Sequence, residues 1–115
     1  MEEHCIFCKI VAKKIPAKIA YEDEHVLAFH DLHPQSPVHV LVIPKEHLTS
    51  LAHSTDAHTE LLGRCLRVAA KLAAELGVAD KGYRTVINTG NDGGQSVHHL
   101  HVHLLAGRQH GWPPG

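Results

Sequence analysis

The run Val97-His98-His99-Leu100-His101-Val102-His103-Leu104-Leu105 decides how the rest of the chain is read. Its apolar and β-branched residues, with glycines before and after it, predict a strand. Side chains alternate across a strand, so His99, His101 and His103 line one face while Leu100, Val102 and Leu104 point the other way, toward a core. Three imidazoles in a row on a half-buried strand suit two chemistries. They can hold a metal, or one can act as a nucleophile while the others carry and orient protons. Periodicity does not choose between them. The plain alternative is a solvated face in a chain that has 13 histidines. Against it, the row directly follows a glycine-rich loop and has no carboxylate near it in sequence.

At 115 residues the chain reads as one domain, 1–115, with a modest core. A hydrophobic fraction of 43% is ordinary for a globular protein. The formal net charge is -1 and the basic residues are scattered, so no surface suits a nucleic acid, although small anionic ligands remain open. The N-terminus is acidic and polar, no signal peptide is evident, and no run reaches membrane-spanning length. A cytoplasmic protein without membrane association is expected. Cys5, Cys8 and Cys65 are too few and too oddly numbered for a disulfide framework.

Outward from the histidine row, residues 5 to 14 predict a short helix stopped by Pro16. Cys5 and Cys8 within it form a candidate metal half-site. Redox activity lacks thioredoxin-like flanks, and two small buried side chains are the simpler reading. Ile19–Glu22 and Val26–His30 predict a hairpin around Asp23-Glu24. Phe29 and Asp31, two apart, can face one side as a base-and-ribose contact, or Asp31 serves the turn. Val38–Ile43 reads as a central strand covered on both faces, with His39 its one polar side chain. Pro44 ends it and His47 follows.

Residues from about Thr55 to Leu76 predict the one long helix, with Leu62, Leu66, Ala69, Leu72 or Ala73, and Leu76 as its apolar stripe. Ser54, Thr55 and Asp56 are candidate N-caps without a clean capping box, and Gly77 is a good stop. Cys65 falls on the stripe as a structural residue. Gly63 costs about 1 kcal/mol against alanine, which close packing would explain. Tyr83–Asn88 predicts a strand, and the glycines of Thr89–Ser96 let backbone amides approach an anion, or simply make a hairpin turn. It is not a Walker loop. Helix, strands, long helix and strands in this order fit an α+β domain with an antiparallel sheet.

The pattern His99-x-His101-x-His103 followed by two apolar residues resembles the signature of the histidine triad (HIT) family. The wider run Gly93–Leu105, with Gly107-Arg108-Gln109 and Trp112-Pro113-Pro114-Gly115, resembles its HINT branch. The likeness runs from Ile6 to Gly115. It implies the HIT fold, a five-stranded antiparallel sheet with one long and one short helix. It also implies a homodimer whose sheets join across a two-fold axis, with the tail, about 107–115, reaching the partner subunit.

The activity implied is hydrolysis of a purine nucleoside phosphoramidate, AMP- or GMP-type, through a nucleotidyl-histidine, with no divalent metal required for the step. By the same resemblance His101 is the nucleophile, His103 contacts the phosphate and His39 lies on the proton path. Ser96 and Gln95 bond the phosphoryl oxygens or the leaving amine. Asp31 takes the ribose hydroxyls, and Asn88 and Gly94 line the phosphate side. Phe7, Ile10, Phe29 and Leu32 form the purine slot. His98 stands where tyrosine or phenylalanine is common, and is expected to face away from the site. Cys5, Cys8, His47 and His99 are the right ligand types for a closed structural zinc, an arrangement implied by likeness to zinc-bearing bacterial HIT proteins. Two other readings stay open: a nucleotide-binding regulatory module with little turnover, and a catalytic zinc on His99, His101 and His103.

Overall fold

Asp23 sets the first hairpin. Its Oδ1 accepts the backbone amides of His25 and Val26, both at 2.8 Å, which closes the turn between β1 (Ile19–Glu22) and β2 (Val26–His30). β3 (Val38–Pro44) lies against β2, β5 (Val102–Ala106) against β3, and β4 (Arg84–Val86) against β5. The five strands form one antiparallel sheet in the order β1-β2-β3-β5-β4. A short helix, α1 (Ile6–Val11), precedes the sheet, and the long helix α2 (Thr59–Glu75) joins β3 to β4. This computed structural model describes residues 4–115.

The sheet is covered on both faces, which is why β2 and β3 read as nearly unbroken apolar runs. On one face Val26, Ala28, Val40, Val42, Val102 and Leu104 pack against Cys65, Val68, Ala69, Leu72 and Ala73 of α2. On the other, Leu27, Phe29, Leu41 and Ile43 pack against Phe7 and Ile10 of α1. Each fully buried Val, Leu, Ile or Phe among them contributes about 1.5–3 kcal/mol. His103 lies opposite Leu41 and His39 opposite Leu105. Cross-strand partners share a face, so both histidines stand on the α1 side of the sheet.

The structure corrects the expected strand over Val97–Leu105. The ladder begins only at Val102. The backbone upstream leaves it because its hydrogen bonds go elsewhere: the Leu100 amide donates to Leu48 O at 2.6 Å, and the His99 ring takes Pro44 O at 2.8 Å. Period-two alternation still predicts the right sides, with Leu100, Val102 and Leu104 all buried in the core.

α2 also differs from its expected stripe. Leu66 and Leu76 are 46% and 40% exposed, and the buried face runs through Cys65, Val68, Ala69, Leu72 and Ala73. A Cβ on Gly63 would meet nothing within 4 Å, so close packing does not account for that glycine. A capping box is present, made with an unexpected residue. His58 Nδ1 accepts the Thr55 amide at 2.9 Å, and Thr55 Oγ1 accepts the Ala57 amide at 3.3 Å, at the head of a 3-10 turn that leads into α2.

Candidate active site and metal centre

Four rings on the α1 side can be assigned their protons, because three have a backbone partner that only accepts or only donates and the fourth bonds to one of those three. His101 Nδ1 lies 2.8 Å from His99 O. A carbonyl only accepts, so Nδ1 carries the hydrogen and Nε2 is left with its lone pair. His99 Nε2 lies 2.8 Å from Pro44 O, which leaves Nδ1 of that ring bare. In His39 the order is fixed from the opposite direction: Nδ1 accepts the Gln35 amide at 3.0 Å, so Nε2 carries the hydrogen. That hydrogen is donated to His103 Nδ1 at 2.9 Å. His103 therefore carries its own hydrogen on Nε2.

Burial keeps these rings neutral. His101 is 5% exposed, and burial pushes its pKa down against the opposing pull of the His99 carbonyl and the Asp31 charge. His103 is pushed down to about 4, first by burial and then by His101 and His39. His39 is lowered by burial, partly offset by Asp31. Among the described residues no buried side-chain nitrogen or oxygen lacks a hydrogen-bond partner. His101 thus presents an unprotonated Nε2 near neutral pH, and His103 presents a donor 4.9 Å away, centroid to centroid.

The bare Nδ1 of His99 faces two sulfurs, Cys5 Sγ at 3.2 Å and Cys8 Sγ at 3.5 Å, and His47 Nδ1 lies 3.3 Å from Cys8 Sγ. All four ligand atoms lie within 4.8 Å of one another. A tetrahedral zinc with ordinary Zn–S and Zn–N bonds sets sulfur and nitrogen about 3.5 Å apart. The donor set fits, and Pro44 O supplies the outer contact that orients the His99 ring. Asp31, His39 and His103 also lie within 4.8 Å of one another. That set fits a metal poorly, because the His39 nitrogen facing it is the protonated one. Nor does a zinc on His99, His101 and His103 fit, since the bare nitrogen of His99 faces the cysteines.

The remaining candidate residues divide. Phe7, Ile10 and Phe29 share one cluster, with Phe7 packed edge-on to His101 at 5.2 Å between centroids. Leu32 lies outside that cluster and is 85% exposed. Asp31 Oδ1 accepts the His33 amide at 2.8 Å, and Oδ2 stands 3.5 Å from His39 Nε2, so the carboxylate both makes the turn and faces the site. Gln95 is buried and its side chain is committed to the loop. Oε1 accepts the Gly90 amide at 3.0 Å, and Nε2 donates to Thr49 O at 2.7 Å and Val97 O at 3.1 Å.

The Gly94 amide also turns inward, to Asn91 O at 3.0 Å. Gly93 is required here, since a Cβ would stand 2.3 Å from Thr89 O. Asn88 follows β4, half-buried. Ser96 is exposed and lines a cleft of about 490 Å³ with Cys5, His47, Thr49 and His98. His98, expected to face away, thus shares a cleft with Ser96. Sequence reasoning missed Gln35 and Pro44, which act through the backbone and leave no mark in side-chain identity.

The HIT domain family model matches residues 12–110. A 14 kDa zinc-binding protein of Zea mays is 55% identical over 112 residues, covering 96% of this chain and 87% of its own. A protein of Arabidopsis thaliana named adenylylsulfatase HINT1 is 51% identical, covering 96% and 76%. The crystal structure of a HIT family hydrolase from Legionella pneumophila superposes with a TM-score of 0.96 at 48% identity, over 97% of this chain and 100% of that one. No helix among the described residues is long and apolar enough to cross a membrane.

Proposed function

The chain belongs to the HIT domain family, and from that premise we propose that it hydrolyses purine nucleoside phosphoramidates through a covalent nucleotidyl-histidine. One observation carries the reading: the 2.8 Å bond from His101 Nδ1 to His99 O, which leaves Nε2 of a buried, neutral ring with its electron pair. His101 Nε2 attacks the α-phosphorus, the P–N bond breaks, and the amine departs after its nitrogen takes a proton from solvent, relayed by the Ser96 hydroxyl. The His99 carbonyl steadies the positive charge that forms on the ring. Water then attacks phosphorus, and the nucleoside monophosphate leaves.

His103 donates its Nε2–H to a phosphoryl oxygen, with His39 behind it. Exposed Ser96 serves the leaving nitrogen. Gln95 acts from behind, holding the glycine loop to Thr49 and Val97, while Asn88 and Gly94 bound the phosphate side. Asp31 takes the ribose hydroxyls, and Phe7, Ile10 and Phe29 back the purine with Leu32 at the mouth. We assign Cys5, Cys8, His47 and His99 to a structural zinc. When bound, such an ion contributes stability and rigidity rather than reaction chemistry.

The test is mass spectrometry after brief exposure to adenosine 5'-phosphoramidate. Wild type should carry one nucleotidyl group on His101, and His101→Asn none. Binding of AMP with no adduct and no amine released would leave a nucleotide-binding module instead. The cleft beside Ser96 favours a second reading. Among the described residues it is lined by His4, Thr49 and His98 and by no carboxylate, with Cys5 and His47 belonging to the proposed zinc set, so it also suits an anionic leaving group, in keeping with the name of the Arabidopsis relative. Adenylyl sulfate and the phosphoramidate, compared in one assay, rank the two.

A further inference from the structure

Resting on the reaction above, we propose that Arg108 and His110 of the C-terminal segment are positioning residues for the His39–His103 pair. They hold the stretch whose Gln35 amide dictates which nitrogen of His39 carries the proton. Three consecutive residues of the β2–β3 loop are gripped from the tail. Gln35 O accepts Arg108 Nη2 at 3.3 Å and Nε at 3.4 Å. Buried Ser36 meets His110 Nε2 through its Oγ at 3.0 Å. Pro37 packs on Gly107 so closely that a Cβ there would stand 2.8 Å from Pro37 Cβ, at a φ of +91°. Arg108 makes no ion pair among the described residues, and its guanidinium donates to backbone carbonyls, of Gln35 and of Gln109.

Gln35 is where the two networks meet. Its carbonyl is held by Arg108, and its amide donates to His39 Nδ1 at 3.0 Å. Carbonyl and amide flank one Cα, so loss of the guanidinium lets the peptide before Gln35 turn. Once that amide leaves, a minor part of His39 can carry its hydrogen on Nδ1 and face His103 with a bare Nε2, while the Asp31 carboxylate, 3.5 Å from Nε2, keeps the rest in the original form. His103 must then turn its own hydrogen inward, and its outer nitrogen becomes an acceptor. An acceptor facing a phosphoryl oxygen repels it, whereas a donor stabilises it. His101 is insulated from this change, because its tautomer depends on His99 O.

The experiment reads tautomers directly, by histidine ¹⁵N NMR of the full-length protein, beside steady-state hydrolysis of adenosine 5'-phosphoramidate. Wild type should show His39 and His103 each as the single Nε2–H form. Arg108→Gln and His110→Ala should add a minor Nδ1–H form of His39, about a tenth or more, as expected when one ordinary hydrogen bond is removed. With it kcat should fall about fivefold while KM changes less than about twofold. Arg108→Lys should restore part of both, and the His101 signals should be unchanged throughout. His39 wholly in the wild-type form in both variants would overturn the proposal, even with turnover reduced. If His39 shifts as described in a protein that turns over no phosphoramidate, the positioning role stands and the phosphoramidase reading falls.

Discussion

His101 and His99 form a pair in which neither works alone. The ring of His99 faces the cysteines while its carbonyl orients the ring two residues on. Replacing His101 by alanine removes the proposed nucleophile and should lower turnover at least about a thousandfold; a rate within tenfold of wild type would sink the mechanism.

The pH dependence also belongs at this scale. His103 sits at about 4 in the folded protein, below its ordinary value near 6.5. As pH falls from 6.5, the unfolded chain takes up a proton before the folded one does. The stability this ring contributes is therefore complete above about 6.5 and is lost between 6.5 and 4. Melting temperatures should decline across that window, and His103→Gln should flatten part of the decline. An acid limb of equal slope in the two proteins would contradict the assignment.

At the scale of elements, the hairpin around Asp23, the central strand and the long helix were all legible, because each rests on local chemistry. Turn residues flank alternating or continuous apolar runs, and a 3.6-residue period marks the helix. The start of the triad strand was not legible, since it depends on the Leu100 amide finding Leu48 O and the His99 ring finding Pro44 O. The stripe expected on α2 holds at Cys65, Ala69, Leu72 and Ala73 and fails at Leu66 and Leu76, because leucine is read as interior whichever side packing selects.

In the candidate site, the triad and the four zinc-type ligands could be named from residue types and family likeness. The roles of Gln35 and Pro44 could not, because any residue but proline can supply a backbone N–H and any can supply a peptide carbonyl. Gly63 gives a clean prediction. It sits inside α2 with open space where a methyl would go, so Gly63→Ala should stabilise the protein by about 0.5–1 kcal/mol and raise its melting temperature a few degrees. A lower melting temperature would mean that something covers this face in solution.

For the whole molecule, two features set expectations. β4 lies at the edge of the sheet, only three residues long, and exposed Leu66, Leu76, Tyr83 and Trp112 remain on the surface. So short an edge is a weak template for pairing, and the proposal of two copies joined sheet to sheet rests instead on these exposed apolar side chains and on the family resemblance. Sedimentation at micromolar concentration should give twice the 12.6 kDa of one chain, and a 12.6 kDa species would refute the pairing. The second feature is the Cys5, Cys8, His47 and His99 set. Elemental analysis should find about one zinc per chain, and Cys8→Ala should lose it and melt several degrees lower. Zinc-free wild type that melts unchanged would remove the structural role.

The contact between Cys5 and His99 joins residues 94 positions apart. During translation the two thiols leave the ribosome first, and the imidazole that completes their environment follows roughly 5–20 s later at ordinary elongation rates. Through that interval the nascent chain carries an unfinished chelate, open to oxidants and to competing ions. The proposed zinc centre therefore predicts that chain made under oxidising or zinc-depleted conditions yields less folded protein than chain made with reductant and zinc present.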